Sequence, residues 1–278
     1  MTRTAAAPVL APTALDLLRS ELTGRPPLRP VDPVSYAAGH ALFEARSDQR
    51  TLLTQWLADR LAPRAAAPTS VLSVGCGDGS VDGVLAATLA AAGEPVDYLG
   101  VEPHAPSGAA FLDRLGAVDG VRAELVTAPF DRLPAGPPRD VVLAVHSFYY
   151  VPDLGAALRQ AVGLLAPGGE LLVLHAPLEP LNALVGVLAP GHPQEFSGRV
   201  RAELDAQARR PVVERIDAVV DLSPTGDAET DLLLLDFTVQ AQVPEQLAGA
   251  VRAALAERAL PGPGLVLPHP VDAFVVRS

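Results

Sequence analysis

From residue 71 to residue 175 short apolar runs alternate with amphipathic stretches, and that alternation sets the reading of the chain. Runs at 71–74, 98–101, 121–127, 141–145 and 170–175 read as strands. Helical spacing fits about 81–92, 108–115 and 156–165, the last stopped by Pro167-Gly168-Gly169. Strands that are apolar throughout are buried on both faces, so the centre is expected to be a parallel α/β sheet. Upstream, a short helix fits 13–22, and Leu42, Phe43, Leu52, Leu53, Trp56, Leu57 and Leu61 suggest two helices broken near Ser47. Downstream, 178–188 and 196–208 read as helices, 232–239 as a strand, 245–258 as a helix and 271–276 as a closing strand. Two late strands flanking a helix suit an antiparallel pair at the sheet edge. The expected organisation is one structural domain in three stretches: an N-terminal extension and helical cap (1–69), a core (70–176), and a helical insertion with the last two strands (177–278).

Composition narrows the chemistry. All 21 basic side chains are arginine, which excludes a lysine Schiff base, a pyridoxal site and an ordinary P-loop. The net charge of −11 repels a phosphate backbone, so no nucleic-acid partner is expected. Arg199, Arg201, Arg209 and Arg210 are interrupted by Glu203 and Asp205 and read as a solvated helix face. Cys76 is the single cysteine, so neither a disulfide within the chain nor a thiolate zinc cluster can form. The six histidines lack HxH or HxxxH spacing, and no metal site is expected. No stretch approaches about 18 uninterrupted apolar residues, and the N-terminus lacks a leader pattern, so the expectation is a cytoplasmic protein that does not enter a membrane. Oligomeric state leaves no mark.

The strongest local signal is Val71-Leu72-Ser73-Val74-Gly75-Cys76-Gly77-Asp78-Gly79, a buried strand running through three alternate glycines into a helix. Glycines allow the tight bend and close ligand approach, and the helix N-terminus adds free N–H groups. Ser80 stands where a dinucleotide fingerprint wants glycine, which speaks against a nicotinamide oxidoreductase. Glu102 follows the second strand, where a carboxylate can accept hydrogen bonds from ribose hydroxyls. Together these residues point to a bound nucleoside.

At this point the chain resembles the class I S-adenosylmethionine-dependent methyltransferases. The likeness is carried by Val71 to Gly79, by Leu99-Gly100-Val101-Glu102-Pro103, by Arg139 to His146, and by Leu165 to Val173. It implies a Rossmann-like, doubly wound, seven-stranded sheet, mostly parallel with an antiparallel edge strand. It also implies S-adenosyl-L-methionine as cofactor, held by Gly75, Cys76, Gly77, Asp78, Gly79, Glu102, Pro103, Phe130 and His146. Ser73 departs from the acid that many members carry there.

Tyr36, Phe43, Ser47, Trp56-Leu57, the stretch from Val145 to Asp153, and Phe274-Val275-Val276 are similar to the histamine N-methyltransferase family. That likeness implies an acceptor surrounded by Tyr36, His40, Gln49, His146, Tyr150 and His269, and Tyr149 beside Tyr150 could also orient it by a hydroxyl hydrogen bond. Gln49 replaces the family's glutamate, and His146 and His269 replace two amides, so a nitrogen-bearing molecule other than histamine is expected. His146 is the candidate general base, and Tyr150 would orient the acceptor or stabilise its charge. The partner expected is thus a small-molecule acceptor: an amine, an imidazole or an amino-acid-like metabolite. O-methylation of a phenol or carboxylate, and a non-catalytic cofactor-binding partner subunit, remain alternatives.

Overall fold

The computed structural model describes residues 13–190 and 196–278. The start of the N-terminal extension, residues 1–12, and His192 lie outside the described residues. In chain order the elements begin with α1 (Ala14–Leu22), α2 (Pro33–Ala45), α3 (Gln49–Leu61), β1 (Thr69–Val74), α4 (Ser80–Ala90) and β2 (Val96–Val101). Next come α5 (Ala105–Gly116), β3 (Val121–Val126), β4 (Arg139–Val145), α6 (Leu154–Gly163), β5 (Leu165–His175) and α7 (Val185–Leu188). The last are α8 (Ser197–Ala206), β6 (Val212–Ile216), β7 (Val219–Asp221), α9 (Ala228–Val239), α10 (Glu245–Ala256), β8 (Val266–Pro268) and β9 (Val271–Arg277).

Packing divides the chain into two compact units. Of the described residues, the first takes 13–46, 180–190 and 220–268; the second takes 47–179, 196–219 and 269–278. The reason lies in which core each helix feeds. Leu53, Leu57 and Leu61 of α3 join the sheet's core, whereas Leu18 of α1 and Phe43 of α2 share a core with α9 and α10.

The second unit holds a seven-stranded sheet in the order β3-β2-β1-β4-β5-β9-β6. β3, β2, β1, β4 and β5 are parallel; β9 runs antiparallel to β5 and to β6. Both faces are covered, which makes it a Rossmann-like, doubly wound fold. Val71, Val141, Leu143 and Leu172 face a core shared with α3, α4 and α5. Their neighbours Leu72, Val142, Leu171 and Val173 face one shared with α6 and α8. That alternation along wholly apolar strands is what a two-faced sheet requires.

The first unit packs α1, α2, α9 and α10 around one apolar core, with β7 paired to β8. Here the expected strand at 232–239 is instead the body of α9. Asp227 accepts the Thr230 N–H and caps the helix, and the Leu232–Leu235 run consists of strong helix formers. A continuous apolar run does not itself distinguish the two periods. The sheet strand that sequence periodicity missed is β6, where Glu214 and Arg215 are both exposed and break the alternation. The expected helix at 178–188 shrinks to a 3-10 turn at Asn182–Leu184 and the one-turn α7.

Candidate functional site

In the second unit, β1 ends over the C-terminal edge of the sheet and the chain turns through Gly75, Gly77 and Gly79, with φ of 64°, 56° and 74°. All three sit in the left-handed region that side chains disfavour. The turn is pinned to β2 by Gly75 N–H donating to the Val101 carbonyl at 2.7 Å. Two of the glycines are also sterically required. A Cβ on Gly75 would come within 2.5 Å of the Ser147 Cβ, and one on Gly79 would meet Phe111 at 3.0 Å. At Gly77 a Cβ would meet nothing within 4 Å, so this glycine borders open space where a ligand can approach the backbone.

Glu102, just past β2, ties this arrangement together. Its carboxylate accepts the Gly77 N–H at 3.1 Å and the His104 N–H at 2.8 Å. Each oxygen keeps a second lone pair for a ribose hydroxyl. Asp78 accepts the Ser80 N–H at 3.0 Å and pairs with Arg114 at 3.2 Å. Partial burial opposes its ionisation, but Ser80 and the charges of Arg114 and Arg50 hold its carboxyl below the usual range. Arg50 also donates to Ser80 Oγ at 2.5 Å, adding a cation at the start of α4. Cys76 is buried, and its thiol is pushed far up by burial and by the charges of Asp82 and Glu102, so it is no nucleophile. Pro103 is exposed, while Phe130 is buried with its ring 6.0 Å from Phe148.

Beneath the loop lies an acid that the sequence reading passed over. Asp82, in the first turn of α4, is buried, accepts from Tyr98 Oη at 2.8 Å and is also hydrogen-bonded to Ser73. Burial raises its pKa to about 6 against those bonds. Where many class I members are expected to carry an acid at the Ser73 position, this chain has a hydroxyl there, bonded to an acid from the following helix.

The end of β4 is the other wall. His146 has φ of 50°, an uncommon conformation for a side-chain-bearing residue and one that marks strain at a special position. Its N–H donates to the Leu174 carbonyl at 3.0 Å, and its Nδ1 lies 2.6 Å from Tyr149 Oη. Tyr149 Oη also accepts the Ala176 N–H at 2.9 Å, and its ring lies 4.1 Å from that of the fully buried His175. The next residue, Ser147, has a buried hydroxyl with no hydrogen-bond partner among the described residues, directly beside Gly75. An orphaned hydroxyl costs roughly 1–3 kcal/mol unless something outside the chain satisfies it. Sequence reading stopped at the neighbouring His146; the only available signal was that Ser147 follows a strand facing the glycine turn. The Tyr150 side chain lies outside the described residues.

The remaining acceptor candidates form two groups. Gln49 and His269 meet in the second unit: Gln49 Nε2 donates to the His269 carbonyl at 2.7 Å, and Ser47 Oγ lies 2.9 Å from His269 Nδ1. Burial lowers the His269 pKa to about 4 despite the nearby Asp48 charge, so the ring is neutral at pH 7. Tyr36 and His40 lie on α2 in the first unit, rings parallel at 6.4 Å, with Phe237 edge-on to both at 5.2 and 5.3 Å. Among the described residues no group of three or more His, Cys, Asp or Glu side chains could hold a metal ion, and no helix is long and apolar enough to cross a membrane.

With this geometry in view, the family described as Methyltransferase domain matches residues 45–205. Solved structures share the fold. A proposed methyltransferase of Bacillus halodurans C-125 is 12% identical, covering 79% of this chain and 97% of its own, with a TM-score of 0.55. The plantazolicin methyltransferase BpumL, solved with S-adenosylhomocysteine, is 11% identical over 94% of both chains, with a TM-score of 0.53. The YcgJ protein of Bacillus subtilis is 15% identical, covering 80% and 96%, with a TM-score of 0.50. The chain belongs to the methyltransferase-domain family. It is a methyltransferase.

Proposed function

We propose that this enzyme methylates a nitrogen of a small-molecule acceptor: an amine, an imidazole or an amino-acid-like metabolite. The observation that carries the reading is the end of β4, where a strained His146 bonded to Tyr149 precedes Ser147, whose hydroxyl lies against Gly75.

The residues present fit the donor. Gly77 leaves room for backbone approach, Glu102 has lone pairs for ribose hydroxyls, and the orphaned Ser147 hydroxyl lacks only a ligand atom. Phe130 and Pro103 would flank the base, and Asp78 with Cys76 would shape the loop. Bound there, S-adenosylmethionine would supply a methyl group already activated by its sulfonium, for exchange of a C–S bond for an N–C bond. The protein then has to position the acceptor, exclude water and take a proton. His146 takes the proton lost from the acceptor nitrogen, and its hydrogen bond to Tyr149 sets the ring's orientation. Tyr150 would orient the acceptor from the adjoining turn.

The likeness to histamine N-methyltransferases supports nitrogen as the accepting atom, with Gln49, Tyr149 and His269 of the second unit as acceptor-facing candidates. Gln49 cannot offer a cation the charge of a glutamate, and its Nε2 is engaged by the His269 carbonyl. The neutral His269 adds no anion either. The expected acceptor is therefore one recognised without a carboxylate at that position, which histamine is not.

The test is S-adenosylhomocysteine formation against a panel of amines, imidazoles, amino acids and phenols. Turnover is expected on a nitrogen acceptor, with His146→Gln lowering kcat and removing its pH dependence. Turnover on phenols alone would move the reaction to oxygen. Cofactor binding with no turnover on any class would favour a non-catalytic partner subunit.

A further inference from the structure

In the first unit, residues 25–29 run beside α9 and the turn leading into α10, tied there by Gln242 N–H donating to the Arg29 carbonyl at 2.8 Å. A cavity of about 600 Å³ opens between these segments. That size falls within the range of pockets that take small molecules. Leu232 and Leu247 give it apolar surface, while Arg25, Arg29, Asp236 and Glu245 bring charge of both signs. No ion pair joins these four charged side chains among the described residues, although all line one cavity.

Asp236 is the informative one. It is only 9% exposed, and among the described residues its carboxylate accepts a single hydrogen bond, from the Val243 N–H at 2.7 Å. Among the described residues no cation reaches it, and burial raises its pKa to about 6. Carboxylates this buried are ordinarily paired. Arg25 and Arg29, exposed and unpaired among the described residues, carry the complementary vacancy on the opposite sign.

We propose that this cavity binds a small zwitterion, its ammonium group against Asp236 and Glu245, its carboxylate against Arg25 and Arg29, and a short aliphatic body between. The ligand class is an amino acid with its charges separated by a few methylenes. This inference stands on the first unit alone and does not depend on the methyl-transfer reading.

Isothermal titration of the full chain with glycine, 4-aminobutyrate, 6-aminohexanoate, hexylamine and hexanoate tests it. One of the amino acids is expected to bind at least tenfold more tightly than either singly charged probe. Asp236→Asn retains an acceptor for the Val243 N–H and should weaken that binding at least tenfold. Arg25→Gln with Arg29→Gln, at exposed positions, should do the same, and thermal melting reports whether each variant is folded. If Asp236→Asn melts early, the arginine double variant decides. No binding of any amino acid at millimolar concentration, equal binding of the singly charged probes, or binding indifferent to the arginine changes overturns the proposal.

Discussion

Ser147 separates two kinds of role that a wall residue can have. A hydroxyl that only packs would leave ligand affinity unchanged when removed. Ser147 Oγ has no partner among the described residues, so Ser147→Ala should leave the ligand-free protein as stable or up to about 1 kcal/mol more stable. The same change should weaken S-adenosylhomocysteine binding about tenfold, read by titration. Unchanged affinity would show that the hydroxyl does not face the cofactor. This residue also marks the limit of legibility at its scale. The glycines and Glu102 could be read from the sequence because backbone bending and a carboxylate at a strand end are local properties. The Ser147–Gly75 approach joins residues 72 positions apart and could not. Nor could Asp82, whose burial depends on Tyr98 from the next strand.

Elements were legible where two signals agreed. β1, β2, β4 and β5 are short apolar runs bounded by turn residues, and α10 combines helical spacing with a proline just before it. α9 misled because Leu232–Leu235 has no period of its own; its identity comes from Asp227, which caps Thr230 at 2.9 Å, and from packing against α2. Gly39 shows that packing directly, since a Cβ there would lie 2.8 Å from the Leu233 carbonyl oxygen. Asp227→Ala should therefore cost about 1 kcal/mol of stability, measured by denaturant unfolding. Asp227→Asn or Ser, which can still cap, should recover most of it. A loss as large with Asn as with Ala would mean that the charge, not the cap, matters.

For the whole molecule, buried titratable groups give the two units different responses to pH. Asp82 has a folded pKa of about 6, above its ordinary 3.8, so its contribution is fullest at low pH and is lost as pH rises through 6. His269, lowered to about 4 from 6.5, acts in the opposite direction: its contribution is lost as pH falls through that window. Both lie in the second unit and largely cancel there. In the first unit Asp236, also near 6, acts in this range. That unit should lose on the order of 2 kcal/mol between pH 4 and 7. Below pH 4 the sign reverses as capping carboxylates such as Asp32 and Asp227, held below their usual range, take up protons. Hydrogen exchange, corrected for intrinsic rates, should show α9 and α10 less protected at pH 7 than at pH 5, with β1 and β4 nearly unchanged. Asp236→Asn should flatten the difference; equal responses in both units would contradict the assignment.

The path of the chain through these units governs how the protein can be made. The polypeptide passes between them five times, and β9, which follows every other strand, lies inside the sheet between β5 and β6. On the ribosome, five parallel strands can therefore assemble early, but β5 keeps an unpaired edge until residues 271–277 emerge. β6, made long before, has no neighbour in that sheet until then. The interval between the two is a window for mispairing with another nascent chain. A stop codon placed just before Val271 would make that window permanent, yielding a chain that retains the glycine loop yet self-associates through an open edge.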